Sequence, residues 1–290
     1  MTTTQELIDD VRRDYLTQGR VEPRNKLATA VDASETTFTM AYALGNIASG
    51  SLLSIGLEDC YVWSTDDGSK TVTVDRGVDG TTAASHTTTE RVRVTPRWTD
   101  AQILRSVNNE LANLYAQGLY QIATTEFTFT SANVGYELPA ATLGVWRVWT
   151  KDYAFKNWVR LDGWEVDHAA NTTTFPSGVA LFLRNGAYEG RTVRVQYRAA
   201  FTALTTLAQD VVAVTGLPST AVDVLRMGIA VSALVGREVG QRLLESQGST
   251  RRAEEVPPGA LAQSFTPIIR NYQARVRAER ATLVRKYGAT

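Results

Sequence analysis

The chain has very few of the groups that most enzyme chemistry needs. Among its 290 residues there is one cysteine and there are two histidines. A single cysteine, Cys60, excludes an internal disulfide and argues against an oxidising compartment. His86 and His168 lie far apart in sequence, so a zinc site would need carboxylates at positions that no motif marks. A nucleophilic triad needs a histidine beside a serine or cysteine and an oxyanion hole, and neither histidine sits in such a pattern. A phosphate-binding GxxxxGK[ST] loop is missing, as is a GxGxxG turn between strand and helix. The expectation is a protein without cofactor, metal or catalytic residues, and not an enzyme. Charge of one sign is also lacking. Thirty basic residues balance thirty acidic ones, so no whole-molecule field draws in DNA or anionic lipid. The longest apolar run, around Met227–Val235, is far short of the roughly 20 residues of a membrane span, so no membrane partner is expected. The polar, acidic start is not expected to be a secretory signal.

What is present is a core-forming composition: 43% hydrophobic residues against 21% charged. A chain of this length can bury about 75% of the surface its unfolded form exposes. Hydrophobic period separates the sequence into stretches. Thr3-Thr4-Gln5-Glu6 is a capping box that opens a helix with Leu7, Ile8, Val11 and Tyr15 on one face. From Arg24 to Thr95 the period becomes two, with strands expected at Lys26–Val31, Thr36–Met40, Ser51–Leu57, Tyr61–Thr65, Thr71–Asp75 and Arg91–Thr95. Thr99 or Asp100 caps a second helix with Ile103, Leu104, Val107, Leu111, Leu114 and Tyr115 as its apolar stripe. A second β stretch follows, with strands expected at Glu126–Thr130, Val145–Lys151, Trp158–Leu161, Trp164–Asp167, Val179–Leu183 and Thr192–Tyr197. Trp146, Trp149, Trp158 and Trp164 cluster in it. They read as core, with a ligand platform or subunit interface as the alternative. Pro218-Ser219 opens a third helix, whose stripe runs through Val222, Leu225, Ile229, Ala233, Gly236, Gly240 and Leu243 until Gly248. Ser249–Pro258 reads as a loop. The last helix runs from about Gly259 to Tyr287, and Pro267 is expected to kink or restart it.

These segments predict an α+β fold: a bundle of four main helices (3–18, 99–118, 219–246 and 259–287) interrupted by two antiparallel β insertions. The expected domains are a helical bundle from 1–23, 96–120 and 202–290, a small barrel or sandwich at 24–95, and a tryptophan-rich β lobe at 121–201.

The stretch Thr71–Val94 links the first β region to the second helix. Two alternating segments flank a polar connector, which reads as a hairpin with a structured loop. Gly77 and Asp79-Gly80 supply its turns, and Thr81 would cap a short helical turn through Ala83, Ala84 and His86. Taken alone, His86 reads as a side chain bonded to its own turn. The run Arg76-Gly77-Val78-Asp79-Gly80-Thr81-Thr82-Ala83-Ala84-Ser85-His86 resembles an RGxxGTxAxxH loop of neck and tail proteins of long-tailed bacteriophages. With the element order, the chain resembles a head–tail connector of that class, although its two large β regions depart from the mostly helical small adaptors. The resemblance implies a virion protein, assembled in the host cytoplasm. Its role would be a homo-oligomeric ring, twelve-fold in the type case, beneath the portal protein. The ring would dock a downstream stopper or tail terminator and let DNA pass without sequence-specific binding. A tail or baseplate module gripping a saccharide through the tryptophans is the alternative reading.

The last helix carries Arg270, Arg275, Arg277, Arg280, Arg285 and Lys286 against Glu279 alone. Solvation, docking on an acidic protein surface and phosphate contact are its three readings. The first helix carries Asp9, Asp10 and Asp14. The expected portal or subunit interface is formed from these two sets, and the structural loop from Arg76, Gly77, Asp79, Gly80, Thr81 and His86.

Overall fold

Thirteen strands in three sheets form most of the regular elements in the computed structural model, which describes residues 2–16, 22–152, 157–233 and 260–287. The expected helical bundle with two β insertions is therefore corrected: the chain is mainly β. Amphipathic stripes show that helix faces are covered, but among the described residues the helices are fewer than the strands and do not by themselves form the framework. Contacts divide the chain into two units. The first comprises Met1–Leu111 and Ala203–Val276, the second Ala112–Thr202 and Arg277–Thr290. Among the described residues, no helix is long and apolar enough to cross a membrane.

The first unit is built on a six-stranded antiparallel sheet. Its strands are β1 (Arg24–Lys26), β2 (Thr37–Thr39), β3 (Leu52–Ile55), β4 (Glu58–Asp66), β5 (Thr71–Asp75) and β6 (Arg91–Val94), in the order β1-β6-β3-β4-β5-β2. An isolated bridge between Leu27 and Met40 joins the two edge strands. Ala28 N–H donates to the Thr39 carbonyl at 2.8 Å and Ala41 N–H to the Lys26 carbonyl at 2.8 Å. The sheet thus curls until its edges meet, which leaves fewer unpaired edge groups. Alternation fills the inside with Leu27, Phe38, Met40, Leu53, Ile55, Cys60, Val62, Val72, Val74, Val92 and Val94, all buried. Each large aliphatic or aromatic side chain here contributes about 1.5–3 kcal/mol of transfer free energy.

This order corrects the hairpin. β5 pairs with β4 and β2, and β6 pairs with β1 and β3, so the two strands flanking the loop do not touch. The β3–β4 hairpin, turning at Gly56 with φ +56°, lies between them. Residues 76–90 therefore cross the sheet rather than close a hairpin, and no helical turn forms at Ala83–His86. Thr81 instead accepts the Asp59 N–H at 3.0 Å and donates to the Val78 carbonyl at 2.8 Å. His86 makes a β-bridge with Val31.

Helix α1 (Thr4–Val11) has the full capping box: Thr3 Oγ1 accepts the Glu6 N–H at 3.2 Å, and Glu6 Oε2 accepts the Thr3 N–H at 2.9 Å. It passes into a π-helical stretch at Arg12–Leu16. Helix α2 (Asp100–Ala116) is capped the same way, with Thr99 and Gln102 exchanging bonds at 3.2 Å. Its stripe of Ile103, Leu104, Val107, Leu111 and Leu114 is buried, whereas Tyr115 is exposed. A short helix that periodicity did not reveal, α3 (Val211–Thr215), is capped by Asp210 and ended by Gly216 at φ +73°. A 3-10 turn at Ser219–Ala221 leads into α4 (222–233). The rest of the expected third helix and the Ser249–Pro258 loop lie outside the described residues. Helix α5 (Ala260–Tyr287) is continuous through Pro267, so the helix does not restart there.

The second unit holds two sheets. One has the order β10-β9-β13-β7, from β7 (Gln121–Thr128), β9 (Thr142–Asp152), β10 (Asn157–Leu161) and β13 (Thr192–Ala199). The other has the order β11-β12-β8, from β8 (Tyr136–Glu137), β11 (Trp164–Asp167) and β12 (Ala180–Leu183). Their shared core is Leu138, Val148, Leu161, Val179, Leu181, Val193 and Val195. The two-residue strand β8 was not expected, being too short to show a period.

Candidate functional site

The conspicuous polar constellation lies where the interior of the six-stranded sheet ends. Glu58 has the same strand parity as Cys60 and Val62, so its carboxylate points inward. Arg76 continues the inward parity of Val72 and Val74 one step past β5 and meets it. Arg76 Nε donates to Glu58 Oε1 at 2.8 Å and an η-nitrogen to Glu58 Oε2 at 2.7 Å, a bidentate pair. The same guanidinium donates to the backbone carbonyls of Asp32 and Ala84 and, at 3.0 Å, to that of Glu35, and lies 5.0 Å from the centroid of Phe38. Ala84 N–H adds a bond to Glu58 at 2.9 Å and the Cys60 thiol one at 3.3 Å. His86 completes the cluster, with Nε2 2.9 Å from Glu58 and Nδ1 3.2 Å from Glu90.

Glu58 is 1% exposed. Burial raises its carboxyl pKa, but the bonds from Arg76, His86 and the Ala84 amide prevail and hold it well below the usual carboxylate range. For His86, burial opposes protonation, yet the bonds to Glu58 and Glu90 raise its pKa above 6.5. The geometry agrees, because both ring nitrogens face carboxylates and only the imidazolium can donate to both. Burial pushes the Cys60 thiol up, with the adjacent Glu58 acting in the same direction, so it is no nucleophile. Gly77 and Gly80 have φ of +63° and +73°, and Asp79 lies between them at +54°. Arg76, Thr81, His86 and the amides of Gly77 and Ala84 thus all bond to β4, at Glu58 and Asp59, and tie the crossing segment to that strand.

A second cluster joins α1, β6 and the start of α2. The guanidiniums of Arg12 and Arg93, both buried, share Asp100, with Arg93 Nε 3.5 Å away. Arg93 also donates to Asp9 at 2.7 Å, and Arg12 to the Trp98 carbonyl at 3.0 Å. Asp10 pairs with Arg13 at 2.7 Å and Arg226 at 2.6 Å, and Asp14 with Arg13 at 2.8 Å. Asp9, Asp10 and Asp14 are thus engaged inside the first unit with arginines other than those of the last helix. Beside this network, Gln5, Ser54, Gly56, Arg91 and Leu207 line a cleft of about 200 Å³.

Helix α5 buries Tyr272, whose hydroxyl donates to Glu110 at 2.5 Å, and Val276. Arg270, Arg275, Arg277, Arg280, Arg285 and Lys286 are all exposed. No ion pair joins them to another described residue. Arg280 packs over Gly118, and Lys286 lies 5.2 Å from the ring of Tyr287. Positions 270, 277 and 285 fall on the face away from Tyr272 and Val276 at 3.6 residues per turn.

The tryptophans are half-buried and partnered by other residue types: Trp146 with Tyr287 at 5.0 Å edge-on, and Trp158 beneath Arg194 at 3.9 Å. Among the described residues no two tryptophans stack on each other. His168 lies in an exposed turn of the second unit.

Glu58, Glu90, Arg93 and Asp100 are the site residues that sequence reasoning missed. Glu58 had a signal: it is an acid at the inward parity of an apolar strand. Among the described residues no cluster of His, Cys, Asp or Glu is arranged to hold a metal ion. No family model matches this chain, and no curated protein matches it either.

Proposed function

We propose that the chain is a structural virion protein that acts as a head-to-tail adaptor, assembling as a ring between the portal and the next neck or tail protein. The carrying observation is the RGxxGTxAxxH-like loop. Arg76, Gly77, Thr81 and His86, four of its defining positions, each have a separate task in tying the crossing segment to Glu58 and Asp59. A pattern whose defining residues are spent on geometry fits a scaffold. The second support is α5, whose arginines stand exposed while the acids of α1 are already paired. A cationic row of this kind suits an acidic protein surface, and subunits repeated around a ring make heterologous contacts that close by symmetry.

The test targets α5 away from its buried face. Arg270, Arg277 and Arg285 changed together to Glu should leave the circular dichroism spectrum unchanged. Exposed pairs are worth only about 0.2–1 kcal/mol each, so a single change should do little, but three per subunit around a ring should abolish capsid attachment. Negative-stain images of capsids that recruit the triple variant and join tails normally would refute the role given to this helix.

A further inference from the structure

The four-stranded sheet of the second unit has one face in the core, and on the other face the last turn of α5 meets one end, where Arg147 donates to the Tyr287 carbonyl at 3.2 Å and lies over the Trp146 ring. Register places the side chains of the second face side by side. Glu126, Arg194, Trp149 and Arg160 form one row across β7, β13, β9 and β10. Lys151 and Trp158 pair one step along β9 and β10, and Arg147 sits opposite Gln196 in the other direction. Arg160 and Glu126 are exposed; Arg147, Trp149, Lys151, Trp158 and Arg194 are half-buried. In these rows four cations, Arg147, Lys151, Arg160 and Arg194, stand with one carboxylate, Glu126, which lies 2.6 Å from Arg194, and Arg198 follows at the same parity of β13, over the ring of Tyr120. Asp162, from the following turn, pairs with Arg160 at 2.8 Å, with both side chains well exposed. With Arg198 counted, five cations against Glu126 and Asp162 leave this face a surplus of three positive charges in a chain whose total is zero.

The cations are interleaved with indole rings. Trp149 stands between Arg194 and Arg160, and Arg194 lies over Trp158. Neighbouring strands are about 4.8 Å apart, so Arg194 and Arg160 are about 10 Å apart with an aromatic plane between them. A polyanion without bases would use the charges and leave the rings idle. An acidic polypeptide would do the same. A single nucleic-acid strand uses both, phosphates on the guanidiniums and bases on the indoles, and it needs no sequence readout because every base has a π-face.

We propose that this sheet face binds single-stranded nucleic acid without sequence preference. The proposal is independent of the adaptor reading, because it is tested on the free protein and not on capsids.

The test is fluorescence anisotropy of a labelled 20-nucleotide oligothymidylate titrated with the full chain, with tryptophan emission followed in parallel. Binding at 50 mM salt with quenching of tryptophan emission is expected. Lys151→Ala with Arg160→Ala should weaken binding about tenfold and lower the salt slope by about 1.4, since each lost phosphate contact on a single strand accounts for about 0.7. Trp149→Leu, with the fold checked by circular dichroism, should weaken binding about tenfold and remove most of the quenching. Arg277→Ala with Arg285→Ala should leave affinity unchanged. The proposal is overturned by no binding at 50 mM salt or by a Lys151/Arg160 variant that binds as the parent does. Competition by a 20-base-pair duplex or polyglutamate as strong as that of the oligothymidylate would overturn it too.

Discussion

Gly77 and His86 hold the crossing loop by different means, and each can be tested alone. Gly77 combines a left-handed backbone with crowding, since a Cβ there would lie 3.2 Å from both the Ala83 nitrogen and the Thr81 oxygen. Gly80 has the same hand of backbone but nothing within 4 Å. Gly77→Val should therefore destabilise the first unit by about 2 kcal/mol or more, and Gly80→Ala by only about 1 kcal/mol. Thermal unfolding of the two variants gives the order directly, and equal losses would contradict the crowding argument. His86 sets a pH dependence. Its folded pKa is raised above 6.5, so its contribution is fully present below that value and is lost as pH rises through the folded pKa. Glu58 works oppositely: its contribution is present above 4.5 and is lost as pH falls. Urea unfolding should show greatest stability between these limits, and His86→Asn should remove the decline above pH 6.5 specifically. A variant that retains this decline would show that another group causes it.

At the level of elements, α1, β6 and α2 are fastened by charges with little water around them. Breaking a buried pair leaves its partner desolvated and uncompensated, which costs about 3–5 kcal/mol. Asp100→Ala should cost that much, because it strips a partner from both Arg12 and Arg93 and also removes an acid from the first turn of α2. Denaturant titration checks the figure, and a loss below about 1 kcal/mol would mean the network is solvated. These elements also mark what sequence discloses. The alternation through Val72 and Val74 located Thr71–Asp75 to the residue, the capping box at Thr3–Glu6 located the start of α1, and of the two cap candidates for α2 the structure selects Thr99. Pairing was not legible, because period two says which face a side chain takes but not which strand lies beside it. β5 and β6 were therefore read as a hairpin when the β3–β4 pair separates them. The loop's arginine and histidine were visible as a pattern, but their common partner Glu58 belongs to another strand.

For the whole molecule, reading amphipathic stripes as a helical frame failed for a reason that generalises. A helix stripe shows that an apolar face must be covered but not by what. The wide β segments supply much of the hydrophobic interior, with separate cores inside the curled sheet and between the two sheets of the second unit. The proposed assembly does not depend on a bundle, since any rigid subunit with complementary flanks can close a ring. The most direct measurement of that claim is the mass of the purified chain by light scattering, alone and mixed with a candidate portal ring. The account predicts a complex carrying many copies of the chain per portal, with the copy number set by the ring. A chain that stays at its monomer mass of 31.8 kDa in both samples would contradict it.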